Sequence, residues 1–373
     1  MNFDQTPDRQ DTFSFKWQKY QGRDIIPAWV ADTEFRCATP ILDALKARVE
    51  HGNLGYVLPA QYTPALDAVV RWLGDKHDWQ IQKDWIVWMP GVVPAFNVAC
   101  RACCQPGDKV LVQTPNYPPL LAAPKLNGLE RVDVPTRWEN GRPTIDFDAL
   151  ESLAADPACT LFILCNPMNP VGSVLTESEL ARIIDICRAN QVRLCSDEIH
   201  CDLILEPGLT HRPAGRHEPQ AITLMAASKT FNVAGLGTAF AVIPDDTLRR
   251  QFVQAAAGIV PWVNILGLVA TEAAFTLCDD WHQAQLDYLR DNRRLISERI
   301  NQIDGLSMHT PEATFLAWVD ASGLGVSNVQ AWAESRGVGP SPGIDFHARD
   351  HFRINYGCSR AMLNAMLDRL SAD

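Results

Sequence analysis

Residues 160–200 read TLFILCNPMNPVGSVLTESELARIIDICRANQVRLCSDEIH and alternate between two kinds of pattern. The runs TLFILC and VRLCSD are short and apolar and predict buried strands, whereas TESELARIIDICRAN has the apolar spacing of a helix. Thr176 and Glu179 stand at capping-box spacing, which predicts that this helix opens at Thr176. A strand, a helix and a second strand in this order predict two parallel strands joined by a crossover helix.

The same alternation extends outward on both sides of this unit. Further strands are predicted for DWIVWM, KVLVQT, AITLMAAS and TAFAVIP, and PGVVPAFNVACRACC predicts a turn followed by a helix. Strands that alternate with helices indicate a largely parallel sheet covered on both faces, which is an α/β fold.

The C-terminal third has a different pattern. A helical stretch from Trp281 to Gln302 precedes FLAWVD, a helix near NVQAWAESRG, the strand HFRINY and a last helix from Ser359. This order predicts a smaller α+β domain. We expect an N-terminal segment over residues 1–50 that contributes to the small domain, a large domain over 51–270, and the small domain over 271–373.

Size and composition narrow the class of protein. At 373 residues and 47% hydrophobic content, the chain can bury the cores of two domains. The 33 Lys and Arg against 44 Asp and Glu give a net charge of -11 without a basic run, which argues against a nucleic-acid partner. No apolar signal segment and no run of about eighteen apolar residues is present, so we expect a cytoplasmic protein without membrane contact.

The 11 cysteines are scattered through apolar segments. Only Cys100 and Cys103 form a CxxC pair, and no second pair lies near them. We therefore expect reduced thiols that fill the core.

Polar residues and glycines follow the predicted strands at the ends where an open parallel sheet binds ligands. These are Gly91, Tyr117, Asn169, Asp197 and Lys229. Each has an ordinary explanation when taken alone, such as a turn, packing between prolines or a solvated loop. Because chance does not readily align all five at one edge of one sheet, we interpret them as one site.

Such a set of side chains suits the chemistry of pyridoxal phosphate. A lysine amine in a desolvated setting can capture the cofactor aldehyde as a Schiff base. An aspartate that faces the pyridine nitrogen keeps the ring protonated, and the protonated ring accepts electrons from the substrate α-carbon. An asparagine can hydrogen-bond the ring oxygen, an aromatic side chain can stack on the ring, and amides at a helix N-terminus can hold the phosphate.

Six motifs occur in a fixed order along the chain: AWVADTEF, PGVVPAF, NPMNPVG, SDEIHCDL, SKTFNVAGL and FRINYGCSR. Through them the chain, from about residue 25 to 360, resembles fold-type I pyridoxal-phosphate enzymes of the class I/II aminotransferase superfamily. Within that superfamily it resembles the cystathionine β-lyase-like, or C–S lyase, branch. The resemblance implies a large cofactor-binding domain with a mainly parallel seven-stranded sheet, pyridoxal 5′-phosphate as cofactor, and a homodimer with shared active sites.

The resemblance also implies a role for each cofactor-binding residue. Lys229 would anchor the cofactor and, once substrate displaces it, remove the α-proton. Asp197 would pair with the pyridine nitrogen, and Tyr117 would stack on the ring. Asn169 would hydrogen-bond the ring oxygen, with His200 at the position that many aminotransferases fill with a tyrosine.

Substrate binding is assigned in the same way to Arg353, Asn169 and Ala31. Arg353 would grip the substrate α-carboxylate as a bidentate fork. The alternation of HFRINY alone instead suggests an arginine that faces outward from a half-exposed strand. The resemblance carried by the motif FRINYGCSR instead implies that Arg353 faces the site.

The chain departs from the aminotransferase pattern around the phosphate. Many aminotransferases carry an arginine at the position of Gly237, and hydroxyl-bearing residues or glycine at those of Ala226 and Ala227. The resemblance therefore leaves phosphate binding to the loop and helix start at Gly91, Val92 and Val93, to Ser228, and to Tyr56 from a second subunit.

Two rival motifs are weaker. His347 and His351 have the spacing of a helical metal site, but the strand HFRINY is predicted to begin near the second histidine and to break that face. The GLG of residues 235–237 lacks the third glycine and the acidic residue of a dinucleotide-binding loop.

Three functions remain open. The histidine at 200 and the glycine at 237 favour a lyase that cleaves cystathionine or another L-cysteine S-conjugate to a thiol, pyruvate and ammonia. The alternative is an aminotransferase, which for dicarboxylate donors needs a second cation, and Arg36 and Arg212 are candidates by residue type only. A cofactor-sensing regulator would need a DNA-binding segment, for which a resemblance beginning near residue 25 leaves no room.

Overall fold

The computed structural model describes residues 1–139 and 141–372. The α-helices are α1 Phe15–Gln18, α2 Thr39–Glu50, α3 Thr63–His77, α4 Val92–Cys103, α5 Pro118–Leu126, α6 Phe147–Ala154, α7 Glu177–Ala189, α8 Ala214–His217, α9 Asp246–Ala256, α10 Ile265–Leu277, α11 Asp279–Ile300, α12 Val329–Ser335 and α13 Arg360–Ser371. Short 3₁₀ turns lie at Pro59–Gln61, Lys83–Trp85, Ala234–Leu236, Ser322–Leu324 and Gly343–Phe346.

The strands form one large sheet and two small ones. They are β1 Ile26–Pro27, β2 Ile86–Met89, β3 Lys109–Thr114, β4 Glu130–Glu139, β5 Arg142–Ile145, β6 Cys159–Cys165, β7 Arg193–Asp197, β8 Ile222–Met225, β9 Ala239–Val242, β10 Ser307–Met308, β11 Leu316–Asp320, β12 Val338–Gly339, β13 Ser341–Pro342 and β14 His351–Asn355.

The large sheet has the order β2-β9-β8-β7-β6-β3-β4-β5. Its central strands β8, β7, β6, β3 and β4 run parallel, whereas β9 is antiparallel to both of its neighbours. The predicted fold class is confirmed. The described residues give eight strands rather than seven, because the short strand β5 pairs antiparallel with β4 and extends the sheet at that edge.

Helices cover both faces of this sheet, as predicted. On one face α4 packs against β6, β7, β8 and β9, and on the other α6 and α7 enclose an apolar core with β6. The β6 sequence CTLFILC is apolar except for the half-buried Thr160, because the strand is buried on both faces. The helix α7 starts as the sequence predicts: the Thr176 hydroxyl accepts the Glu179 N–H at 3.2 Å, and the Glu179 carboxylate accepts the Thr176 N–H at 2.7 Å.

The C-terminal third contains the helices and strands that its sequence pattern predicts. The helix α11 lies two residues earlier than the predicted stretch at both ends, β14 begins at His351, and the Ser359 side chain caps α13. The sheet β10-β11-β14-β13 is antiparallel. The N-terminal strand β1 pairs in parallel with β12, which joins the N-terminal segment to this region. The domain boundaries themselves stay a prediction.

The helix α10 packs closely against the loop of residues 234–238. It is apolar nearly all round and packs against α2 and α3. A Cβ atom at Gly267 would lie 1.7 Å from Oγ1 of Thr238 and 3.0 Å from the carbonyl oxygen of Leu236. Only glycine lets the helix approach this loop so closely.

The cysteines are all free, and all but Cys37 and Cys103 are buried. Across the described part of the chain, no helix combines the length and apolar character needed to span a bilayer.

Candidate active site

A cavity of about 780 Å³ opens at the carboxyl ends of the central strands. It brings together nearly every residue that the sequence assigned to the site. Those on its wall are Ala31, Gly91, Val92, Val93, Tyr117, Asn169, Asp197, His200, Ser228, Lys229 and Arg353. Tyr56 does not line it in this single subunit.

Lys229 follows strand β8 and points into the cavity. Its Nζ donates a hydrogen bond of 2.7 Å to the carbonyl oxygen of Ala31. Burial lowers the pKa of Lys229 to about 8, although Asp32 and Asp197 oppose this shift. A lysine with such a pKa is partly unprotonated near neutral pH and can act as a nucleophile or a base.

Asp197 closes strand β7 and is only 3% exposed. One of its carboxylate oxygens accepts the Ile199 N–H at 3.2 Å. Burial raises the pKa of Asp197 to about 7. Within residues 1–139 and 141–372 no cation lies within ion-pair distance of this carboxylate, so a protonated nitrogen from a ligand would supply the missing partner.

Arg353 lies on β14 and is 3% exposed, which makes the outward orientation suggested by alternation wrong. Its Nη1 donates to the Asn169 side-chain oxygen at 2.9 Å, and its Nη2 donates to the Trp29 carbonyl oxygen at 2.6 Å and to the Ser341 hydroxyl at 3.2 Å. Burial lowers the pKa of Arg353 to about 10.

This arginine has no acidic partner. Among the described residues no carboxylate lies within 4.0 Å of the Arg353 guanidinium, and its Nε is buried without an acceptor. A buried cation without a counter-charge is costly. The arrangement therefore fits an anionic ligand group, such as a carboxylate held by two N–H donors.

His200 and Tyr117 line the cavity in their uncharged forms. Burial lowers the pKa of His200 to about 3, with repulsion from Lys229 and Arg353 adding to the effect. Its Nδ1 atom is buried without a protein partner. Burial also raises the pKa of Tyr117, so its phenol keeps its proton. Both rings can thus contact a flat ligand without adding charge.

The N-terminus of α4 presents free amides to the same cavity. Gly91 precedes the helix in an extended conformation and offers no side-chain cap. Among the described residues, the amides of Val92 and Val93 donate no backbone hydrogen bond. Unpaired amides at a helix N-terminus form an anion site.

Gly237 lies on the cavity wall where many aminotransferases have an arginine. Its φ of +55° is a left-handed conformation that side chains other than glycine rarely adopt. A Cβ there would meet the carbonyl oxygen of Pro90 at 3.5 Å, an ordinary contact. Backbone conformation, rather than lack of space, therefore disfavours an arginine at this position.

The two arginines proposed for a distal carboxylate lie elsewhere. Neither Arg36 nor Arg212 lines the cavity. Arg36 donates to the Thr39 hydroxyl at 3.3 Å, and Arg212 pairs with Glu177 at 3.1 Å. Both were chosen by residue type alone, and residue type does not report position.

The motif AWVADTEF and Ala31 were identified from the sequence, but the role of the carbonyl oxygens of Trp29–Asp32 was missed. Four consecutive carbonyl oxygens in this segment accept hydrogen bonds from distant side chains. The donors are Arg353 and Ser341 to Trp29, Asn355 to Val30, Lys229 to Ala31, and Asn355 and Lys16 to Asp32. Carbonyl oxygens belong to every residue, so no side-chain pattern marks them.

Tyr56 is fully exposed on a loop before the large sheet. Its nearest aromatic contact is Trp262, whose ring centroid is 6.4 Å away and whose side chain is also exposed.

A family model, described as aminotransferase class I and II, matches residues 32–370. Among curated proteins, the chain is 35% identical over 387 residues to cystathionine beta-lyase PatB of Bacillus subtilis, covering 100% of this chain and 99% of that protein.

Solved structures are similar over the whole chain. The crystal structure of OvoB superposes with a TM-score of 0.96 at 42% identity and covers 99% of this chain and 98% of the other. The pyridoxal-phosphate-bound C–S lyase of Staphylococcus hominis superposes with a TM-score of 0.92 at 30% identity, covering 100% of this chain and 97% of that one.

Proposed function

Because this chain belongs to the family of class I and II aminotransferases, we propose that it is a pyridoxal 5′-phosphate-dependent carbon–sulfur β-lyase. It would cleave cystathionine or another L-cysteine S-conjugate to a thiol, pyruvate and ammonia. The family predicted from the sequence motifs is confirmed. A relative named cystathionine beta-lyase and a neighbour named C–S lyase support the choice of branch.

The cavity offers groups suited to the phosphate and to the ring nitrogen of the cofactor. The amides of Val92 and Val93 would hold the phosphate with Ser228, and the Asp197 carboxylate, which has no cationic partner among the described residues, would pair with the protonated ring nitrogen. The buried, unpartnered Nδ1 of His200 marks a further polar position on the wall. When bound, pyridoxal phosphate supplies an aldehyde that captures an amine and a ring that withdraws electrons from the substrate α-carbon.

Arg353 orients the substrate in this proposal. Its two terminal nitrogens bind the α-carboxylate, and Asn169 fixes the guanidinium through the 2.9 Å hydrogen bond. Lys229 takes the proton from the substrate α-carbon, for which its lowered pKa of about 8 is suited. The uncharged Tyr117 packs beside the reacting group and excludes water.

Elimination then breaks the bond between the β-carbon and sulfur. The bonding electron pair leaves with sulfur, which gains a proton and departs as the thiol. One water molecule hydrolyses the remaining three-carbon fragment to pyruvate and ammonia. No oxo-acid acceptor takes part, and this separates the reaction from transamination.

The few cations on the described cavity wall favour a lyase over an aminotransferase that uses dicarboxylate donors. Besides Arg353 and Lys229, that wall has only Lys19, which is exposed at the mouth. Neither Arg36 nor Arg212 reaches it. A distal carboxylate would therefore lack a buried partner, which disfavours a dicarboxylate amino donor and, among S-conjugates, favours an uncharged S-substituent over that of cystathionine.

Product analysis tests this proposal. The cofactor-loaded protein is incubated with L-cystathionine alone and, separately, with a panel of amino acids plus 2-oxo acids. We expect pyruvate, ammonia and free thiol in equal amounts without any oxo acid. Turnover that strictly requires an oxo-acid acceptor would instead identify an aminotransferase.

We further propose a cytoplasmic homodimer in which Tyr56 completes the site of the partner subunit. The support is an exposed apolar surface around that residue. Tyr56 is 100% exposed, and Leu54, Ile259 and Trp262 are each more than half exposed. A second copy of the chain would cover these side chains by a two-fold contact.

A further inference from the structure

Apolar side chains surround the mouth of the cavity, outside the positions assigned to the cofactor. We call Phe15, Trp29, Ile344 and Phe346 the apolar rim, since all four line the cavity. Phe15 is 72% exposed and Ile344 is 52% exposed. Large apolar side chains on a cavity wall that are left in water mark a surface for a ligand to cover.

The rim is held in place by its neighbours. The rings of Phe15 and Trp29 meet edge to face with centroids 4.7 Å apart. The Trp29 indole N–H donates to the carbonyl oxygen of Lys16 at 3.0 Å, which fixes the orientation of that ring. Two aromatic rings of the rim are therefore positioned before any ligand binds.

The rim adjoins the proposed carboxylate site. The ring centroid of Phe346 lies 4.8 Å from the guanidinium carbon of Arg353. Phe346 is buried and packs edge to face on Trp318, with centroids 5.4 Å apart. A substrate anchored at Arg353 thus has apolar side chains within reach of the group carried by its sulfur.

We propose that the rim is the binding site for the S-substituent and selects conjugates in which that substituent carries an aromatic ring. This inference rests on the proposed lyase function. Aromatic rings favour edge-to-face and offset contacts, which Phe15 and Trp29 can offer to a third ring. The homocysteine part of cystathionine is aliphatic and carries one ammonium and one carboxylate, so it gains less from such a surface.

Three substrates separate the effect of an aromatic ring from that of size: S-benzyl-L-cysteine, S-(cyclohexylmethyl)-L-cysteine and S-methyl-L-cysteine. We expect kcat/KM for pyruvate release to be about tenfold higher for the benzyl than for the methyl conjugate. It should also be about threefold higher for the benzyl than for the cyclohexylmethyl conjugate. The Phe15→Ala variant should lower the benzyl-to-methyl ratio about fivefold.

Phe13→Ala is the matched control. Phe13 lies in the same segment and is 84% exposed, but it does not line the cavity. We expect this variant to leave all three rates unchanged. A benzyl-to-methyl ratio near one in the unaltered enzyme, or an equal effect of both phenylalanine variants, overturns the proposal.

Binding gives a readout that does not depend on cleavage or on the leaving group. In cofactor-loaded Lys229→Ala protein, where turnover is blocked, calorimetry should show about tenfold tighter binding of the benzyl than of the methyl conjugate. Adding Phe15→Ala should remove most of that difference. If no conjugate releases pyruvate but this preference persists, the lyase function fails and the rim proposal stands. Equal binding of both conjugates contradicts the rim proposal alone.

Discussion

The side-chain oxygen of Asn169 accepts a 2.9 Å hydrogen bond from Arg353, which is 184 positions away in the sequence. The loop after β6 is thereby joined to β14 of the C-terminal sheet. The proposed carboxylate grip is therefore fixed from both parts of the molecule.

Replacing Arg353 by lysine should keep the positive charge but lose the bidentate hydrogen bonding of the guanidinium. Because one ammonium cannot make both parallel bonds, we expect kcat/KM to fall about 100-fold, mainly through a higher KM. Arg250→Lys is the control, since Arg250 is exposed on α9 and lies outside the cavity. Steady-state kinetics with an unchanged KM in Arg353→Lys would show that the arginine does not hold the substrate.

Lys229 in cofactor-free protein should react with acylating reagents along a titration curve centred near pH 8. The cause is burial, which lowers its pKa to about 8. Mass spectrometry of competitive labelling gives this curve, with the exposed Lys125 as the reference residue. Arg353→Met should move the curve to higher pH, because Arg353 repels the ammonium. A curve that does not move would contradict this electrostatic coupling.

Borohydride treatment of the cofactor-loaded protein should fix the cofactor to Lys229. The Lys229→Ala variant should lack this label and all turnover, since it has neither the nucleophile nor the base. Peptide mapping locates the modified residue. A protein that remains colourless when pyridoxal phosphate is added would argue against the cofactor assignment itself.

Asp197 should make the cofactor-free protein less stable as pH rises. Its pKa is raised from 3.8 to about 7, so the folded state binds more protons than the unfolded state between these two values. The free energy of unfolding therefore falls through that window, and the lost amount stays absent above about pH 7. The Asp197→Asn variant lacks this titration. Between these two pH values, the fall in the free energy of urea unfolding should therefore be larger in the unaltered protein than in the variant, by more than about 1 kcal/mol. Parallel slopes would mean that this carboxyl is not protonated in the folded protein.

Mixed dimers should recover activity if Tyr56 serves the partner's site. Tyr56→Ala and Lys229→Ala subunits are each expected to be inactive, but a mixed dimer has one site with both native residues. Random reassembly should restore about a quarter of the native activity per dimer. No recovery would place Tyr56 and Lys229 in the site of the same subunit.

Gly267→Ala should destabilise the protein, because the added methyl group would lie 1.7 Å from Oγ1 of Thr238. The loop or the helix must move, which costs on the order of 1–3 kcal/mol. Gly235→Ala is the matched control, as nothing lies within 4 Å of its added Cβ. Denaturant midpoints compare the two variants, and equal midpoints would mean that α10 tolerates a larger separation from the loop.

Sequence patterns predicted the buried strands well because a short apolar run such as TLFILC is favourable only where it is removed from water. They missed β4, whose residues ERVDVPTRWE are largely exposed and charged along much of its length. The strand β5 has four residues and depends on pairing with β4, so it carries little signal of its own.

The residues of the candidate site also differ in how well the sequence predicted them. Its charged side chains, such as Lys229 and Asp197, were visible because charge after a buried strand is unusual. The rim residue Phe15 was not, since an aromatic residue near the N-terminus is ordinary until the fold brings it to the cavity. Arg353 was assigned from its motif, whereas strand alternation alone pointed it toward solvent.

The carbonyl oxygens of residues 29–32 are each bound by a side chain from elsewhere in the chain. Any amino acid supplies the same acceptor, but few can replace the donors. A substitution at Val30 or Ala31 therefore leaves the backbone acceptor in place, whereas loss of Asn355 or Lys229 removes a side-chain donor from this segment. The path of this segment, rather than its side chains, therefore sets where the Lys229 ammonium and the Arg353 guanidinium rest.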